Sequence, residues 1–166
     1  NLKLQGVTNT KVLNEHGEVI WKKYPQYFDR TLVDVPCSME GRFLLSEPKT
    51  YAFWSMKKVK ELRQRQRFLL RSAVSCTKVG GCIVYSTCTL APEENEGVID
   101  WLMKKESGNI ELETIVLPNL TTGKVVGDWN GKSYNPEVSK CVRILPSKMM
   151  EGFFVAKLRK ISPNIG

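Results

Sequence analysis

The feature that most constrains this chain is a pair of short apolar runs separated by a long amphipathic stretch. Residues 31–35 (TLVDV) and 82–85 (CIVY) are apolar except for Asp34. Each reads as a strand buried on both faces, the habit of a parallel sheet. Between them, residues 52–74 place Val59, Leu62, Leu69, Leu70 and Ala73 on one stripe at helical spacing. A strand, a helix and a second strand close as a right-handed crossover, which makes the two strands parallel. Their carboxyl ends then share one edge of the sheet, where ligands of open α/β sheets bind. Cys37 lies just past the first run and Cys88 just past the second. Both thiols are therefore expected at adjacent strand tips, with strands about 4.8 Å apart.

The remaining segments fit an α/β sheet with an antiparallel finish. Residues 2–8 alternate enough to read as a strand, and residues 14–29 are polar and irregular. Pro36 ends the first buried run, and residues 38–51 form a loop with Gly41 and Pro48. Gly80-Gly81 reads as a turn before the second buried run. Pro92 fits the first position of a second helix, with Glu93, Glu94 and Glu96 toward the positive end of its dipole. Val98, Ile99, Leu102 and Met103 give that helix a core face, and Gly108 ends it. Residues 110–117, 141–145 and 152–159 read as further strands, the last two joined by a hairpin-like link at 148–151. Residues 118–140 are loop-rich. One core, hence one domain over residues 1–166, is expected.

Composition narrows the chemistry. The 25 Lys and Arg outnumber the 17 Asp and Glu, for a net charge of +8, which favours a polyanionic partner, nucleic acid first. No apolar run approaches the roughly 18 residues of a transmembrane helix, and the first residues lack the order of a signal peptide. Five cysteines, an odd number with no Cys-x-x-Cys pair, speak against a disulfide framework and a zinc site. A single histidine, His16, removes a histidine metal cluster or a Ser-His-Asp triad. The compartment read from this is a reducing cytoplasm. Cys76, Cys82 and Cys141 fall in predicted helix or strand and are read as structural.

The chemistry on offer is then two thiols and an aspartate. A thiolate is a strong nucleophile, and its pKa falls beside a cation or a helix amino terminus. Asp34 ends an apolar strand, a costly place for a charge without a partner. A ligand presenting an amino edge, such as cytosine, would be one; a strand-end cap is the plainer alternative.

Two stretches carry a resemblance. DVPCS (34–38) and YSTCTLAPEENE (85–96) resemble two motifs of the NOL/NOP/Sun family of RNA 5-methylcytosine methyltransferases, and RILPSKMMEGFFVAKLRK (143–160) resembles that family's closing hairpin. The likeness runs from about Phe28 to Lys160. It implies a Rossmann-like fold dependent on S-adenosylmethionine, acting on rRNA or tRNA. It implies that Cys88 adds to carbon 6 of cytosine, that Cys37 assists the later elimination, and that Asp34 contacts both cofactor and base. Pro36 and Ser38 of the same loop are implied on the substrate side. The basic face of the long helix (Lys57, Lys58, Lys60, Arg63, Arg65, Arg67, Arg71) would serve phosphates, with Arg63 and Arg67 as candidates.

The chain departs from the family upstream. The glycine-rich cofactor loop and the acidic residue for the ribose find no match before Phe28. The chain thus reads as the carboxyl-terminal half of a methyltransferase domain. In the family's strand order 3-2-1-4-5-7-6, strands 1 and 2 would be absent, and the strand ending at Asp34 would have an unpaired edge, inviting self-association or a partner chain. Poor binding of S-adenosylmethionine by the chain alone is expected. Other readings stand beside this one: reversed roles for the two cysteines, a non-catalytic RNA-binding or assembly module, and a thiol redox protein. Glu93 and Glu94 are dipole partners or bases, and Trp54 and Trp129 are packing residues or base-stacking platforms.

Overall fold

The computed structural model describes residues 1–163. Among these, eight strands and two α-helices follow in the order β1 (Phe28–Asp34), α1 (Met56–Cys76), β2 (Thr77–Thr87), α2 (Glu96–Lys105), β3 (Ile110–Glu113), β4 (Thr122–Gly123), β5 (Asp128–Trp129), β6 (Lys132–Ser133), β7 (Val142–Ile144) and β8 (Phe153–Lys160). β1 and β2 are parallel neighbours, with Val33 beside Tyr85 and Asp34 beside Ser86. β8 enters antiparallel to β2. Its other edge is shared end to end by β3 and β7. β4 continues the sheet beyond β7. The expected hairpin between the last two strands is present, and the order β1-β2-β8-β3 reproduces the 4-5-7-6 portion of the family pattern.

α1 forms because Ser55 caps it, its hydroxyl accepting from the Lys58 N–H at 3.2 Å. Its buried stripe is Val59, Gln66, Leu70, Ala73 and Val74. The far end has an unusual stop: the amine of the fully buried Lys160 donates to the Val74 and Thr77 carbonyls at 2.9 Å each. That satisfies carbonyls the helix leaves open and places a cation at the negative end of its dipole. α1 and α2 pack together over one sheet face, where Val33, Ile83, Tyr85, Ile99, Leu102, Phe154, Ala156 and Leu158 form the core.

Several expectations are corrected. Residues 2–8 are turn and coil, exposed along almost their whole length; they have no partner strand to complete a ladder. β1 is covered on one face only. Val33 is buried but Leu32 is 70% exposed, because β1 is the edge strand and the helices cover only the other face. Gly80-Gly81 does not precede β2 but lies inside it. Gly80 takes a φ of +82°, and the pairing with β1 shifts register there, so the glycines make a bulge rather than a turn. α2 begins at Glu96, not Pro92. Residues 92–95 form a separate buried turn, and Asn95 precedes the helix. β3 and β7 are shorter than expected, four and three residues. Within the loop-rich 118–140, Asn130 and Gly131, both at positive φ, close a tight β5–β6 hairpin.

Candidate active site

The parallel register brings the two cysteines together. Cys37 Sγ and Cys88 Sγ lie 3.0 Å apart, one on the loop after β1 and one on the loop after β2. The β1 loop is held by groups from every side. The Pro36 carbonyl accepts from Gln66 Nε2 at 2.9 Å, the Ser38 N–H donates to Glu94 Oε2 at 3.1 Å, and the Ser38 hydroxyl bonds that of Thr89 at 2.8 Å. Gly41 N–H donates to the Cys88 carbonyl at 3.0 Å, and Gly41 O accepts from Gly152 N at 2.9 Å. Gly41 has to be glycine: a Cβ there would sit 2.1 Å from the Gly152 carbonyl oxygen. The closing hairpin thereby clamps the β1 loop against the β2 loop.

The β2 loop is wired internally. Thr87 Oγ1 donates to Asn95 Oδ1 at 2.6 Å, Asn95 Nδ2 donates to the Thr89 carbonyl at 3.0 Å, and Tyr85 Oη donates to the Glu94 carbonyl at 2.6 Å. Thr87, Thr89, Glu94 and Asn95 are all fully buried. Glu94 and Glu96 are therefore not solvent-facing dipole partners. Burial raises the Glu94 pKa, against donors from Ser38 and Gln66. Glu96 receives Arg143 through two bonds of 2.6 Å each, and Arg143 also donates to the Leu90 carbonyl at 2.9 Å. This buried fork ties β7 to the segment that follows Cys88.

The electrostatics separate the two thiols. The Cys88 pKa falls to about 7, first because Cys37 donates to it and then because the Arg42 guanidinium is near; burial and Glu151 oppose this. The same hydrogen bond, with burial, drives the Cys37 pKa upward. The shifts are opposed: the contact and its surroundings favour ionisation at Cys88 and oppose it at Cys37. Arg42 is steered by Glu151, which accepts from its Nε at 2.7 Å. Neither Arg42 nor Glu151 stands out in the sequence; only the hairpin packing brings them to Cys88. Beside them, Met39, Phe43, Leu44, Phe53, Met149 and Met150 line a cavity of about 550 Å³ whose wall includes Gly41, Arg42 and Glu151.

The other expected residues fall as follows. Asp34 is exposed at the tip of β1, with Ser86 Oγ donating to its Oδ1 at 2.9 Å. Pro36 is exposed beside it, whereas Ser38 is fully buried behind the loop. Arg63 and Arg67 lie on a different wall, between α1 and α2, and do not join the cysteines. Trp54 donates to Glu40 at 2.7 Å and Trp129 to Glu93 at 2.8 Å. Cys76 and Cys141 are buried, and Cys82 is half-buried within β2. For S-adenosylmethionine, the described residues fit one contact, the exposed Asp34 carboxylate at the open edge of the sheet.

The family model for 16S rRNA methyltransferase RsmB/F matches residues 1–159. The chain belongs to this family. It is 40% identical over 161 residues to tRNA (cytosine(49)-C(5))-methyltransferase of Pyrococcus abyssi, covering 96% of this chain and 50% of that protein. It is 36% identical over 162 residues to ribosomal RNA small subunit methyltransferase F of Shigella flexneri, covering 96% of this chain and 31% of that protein. Among solved structures, a methyltransferase homolog protein from Pyrococcus horikoshii superposes with a TM-score of 0.74 at 29% identity, over 96% of this chain and 47% of that one. NSun6 from Pyrococcus horikoshii with SFG gives 0.71 at 28%, over 97% and 37%. The chain thus spans between about a third and a half of these relatives, and its sheet is part of the methyltransferase fold. No helix among the described residues is long and apolar enough to cross a membrane.

Proposed function

We propose that this chain carries the cysteine pair of an RNA (cytosine-5) methyltransferase, with Cys88 as nucleophile. The observation that carries the reading is the 3.0 Å contact between Cys37 and Cys88, with Cys88 the more acidic. Cys88 as thiolate adds to carbon 6 of a cytosine, forming a C–S bond and moving the electrons of the 5,6 double bond onto carbon 5. S-adenosylmethionine, when bound, supplies the methyl group to carbon 5. Elimination then removes the carbon 5 proton, restores the double bond and expels the Cys88 thiolate.

The coupling of the thiols supports Cys37 for that last step. The largest cause of the raised Cys37 pKa is its bond to Cys88. Once Cys88 is a thioether, that cause is gone. Cys37 then releases its proton to solvent more readily and takes up the carbon 5 proton. Asp34 and Pro36 face the open side of the same loop and are the groups proposed to meet base and cofactor. Ser38 acts by holding the loop. A base must leave its stack to reach Cys88, and the 550 Å³ cavity beside Arg42 offers room for it. SFG, an S-adenosylmethionine analogue, accompanies the NSun6 relative. rRNA or tRNA is the substrate class of the named relatives. Free thiols at 3.0 Å suit a reducing compartment, the cytoplasm. The exposed edge of β1 is proposed to be covered by further strands of the same protein or by a second chain.

The test uses RNA containing 5-azacytosine, whose adduct does not readily eliminate. Incubated with the full protein and S-adenosylmethionine, it should give a covalent band on a denaturing gel that disappears in Cys88→Ala. A band that persists in Cys88→Ala and disappears in Cys37→Ala would reverse the roles. No band with the full protein would overturn the catalytic reading.

A further inference from the structure

Between α1, α2 and the β5–β6 hairpin lies a groove of about 310 Å³, separate from the cysteine pair. α1 contributes Lys60, Arg63 and Arg67, α2 contributes Trp101, and the hairpin segment contributes Trp129 and Tyr134. Lys60, Arg63 and Arg67 are in none of the ion pairs among the described residues. The ion pairs of α1 among the described residues are Arg65–Glu18 and Arg71–Glu106. The Nε–H groups of Arg63 and Arg67 are buried without a hydrogen-bond partner. Burial first and then the Arg63 charge push the Arg67 pKa down, against the nearby Asp100 carboxylate. The groove's carboxylates are engaged elsewhere. Asp100 accepts from Lys104 at 2.7 Å and from the Asn135 N–H at 2.9 Å. Glu93 accepts from Trp129 Nε1 at 2.8 Å.

The aromatic groups are arranged as platforms. Arg67 sits over the Trp101 ring at 5.2 Å, and Trp129 remains 40% exposed although its Nε1 is fixed by Glu93. Cations outside ion pairs, with Nε–H groups that have no partner, interleaved with a pinned and exposed indole, match a single-stranded nucleic acid, whose phosphates take the former and whose bases take the latter. The groove's lining includes Glu93, from the segment that follows Cys88, and Met56, at the start of α1. We propose that this groove holds a single-stranded stretch of the substrate RNA away from the target cytosine, with phosphate at Arg63 and Arg67 and a base stacked on Trp129. The inference rests on the reading that the chain acts on RNA, but not on which cysteine reacts.

The test is the affinity of the full protein for a single-stranded RNA oligonucleotide, followed by fluorescence anisotropy across a salt series. Arg63→Ala combined with Arg67→Ala should weaken binding at low salt. It should also flatten the slope of log K against log salt by about 1.4, at about 0.7 per lost phosphate contact. Trp129→Ala should lower affinity about 10-fold or more, whereas Trp129→Phe, which keeps a stacking face, should retain most of it. Thermal unfolding of each variant separates loss of binding from loss of fold. Equal affinity and slope in folded Arg63→Ala/Arg67→Ala, or equal loss in Trp129→Phe and Trp129→Ala, would overturn the groove. If binding depends on these residues while the 5-azacytosine adduct never forms, the groove stands and the catalytic reading falls. If the adduct forms and folded variants bind as the wild type does, the groove alone falls.

Discussion

Replacing Cys37 with alanine tests the thiol pair at its most specific point. The Cys37 hydrogen bond is the first cause of the drop in the Cys88 pKa from 9.0 to about 7. In Cys37→Ala the donor is gone, and burial and Glu151 largely offset Arg42, so the Cys88 pKa returns close to its ordinary value. At pH 7 the thiolate share then falls from roughly one half to about one hundredth, because two units are a factor of about 100 in ionisation. The less acidic thiolate is also the better nucleophile. With a Brønsted slope of about 0.45, two units return a factor of about 8 per thiolate. Alkylation of Cys88 by iodoacetamide should thus be about 6-fold slower in the variant at pH 7 and about 7-fold faster near pH 10. The two profiles should cross close to pH 8, roughly where these factors balance. Peptide mass spectrometry reads Cys88 separately, with the buried Cys76 and Cys141 as internal references. Profiles that superpose, or a midpoint that moves by less than about half a unit, would refute the hydrogen-bond account of the acidic thiol.

Three further outcomes follow from the packing. Glu96→Ala leaves the Arg143 guanidinium buried without its carboxylate, and urea unfolding should show a loss of about 3–5 kcal/mol; a loss below about 1 kcal/mol, the worth of an exposed pair, would contradict the buried fork. Gly41→Ala pushes a methyl to 2.1 Å from a backbone oxygen, whereas at Gly152 the nearest atom is 3.1 Å away. The first should cost about 1–3 kcal/mol and lower Tm several degrees more than Gly152→Ala, and equal Tm values would show that the clamp yields. Calorimetric titration of the 166-residue chain with S-adenosylmethionine should give weak binding or none, since among the described residues Asp34 is the contact proposed for it; micromolar affinity would require a cradle built from other residues.

The crossover of β1, α1 and β2 is legible in the sequence because few topologies satisfy two apolar runs flanking an amphipathic helix, and chirality then fixes which ends meet. The same logic places Cys37 and Cys88 together. What it misses depends on neighbours far along the chain. An apolar strand reads as buried on both faces, yet Leu32 is open because burial is a property of the sheet's edge and not of β1 itself. The Pro92–Glu94 stretch reads as a helix start from its proline and its acidic residues. Its glutamate at position 94 is instead swallowed by donors from Ser38 and Gln66, contributed by two other elements. Arg42 and Glu151, which tune Cys88, are far apart in sequence and become neighbours only when the hairpin folds back.

That distribution separates the two halves of the chemistry. The contacts that hold the two cysteine loops together lie between Phe28 and Gly152: the β1–β2 register, the Ser38–Thr89 and Ser38–Glu94 bonds, and the Gly41 bridge from Cys88 to Gly152. None involves the outer edge of β1. The acidic thiol is therefore a property of this sheet and its closing hairpin, and it should persist whether or not a cofactor is bound at Asp34. Methyl transfer, by contrast, is proposed to involve the Asp34 carboxylate at the tip of β1. Thiol reactivity and cofactor affinity are therefore separable, and the pH profile of Cys88 with the calorimetric titration reads the two properties independently.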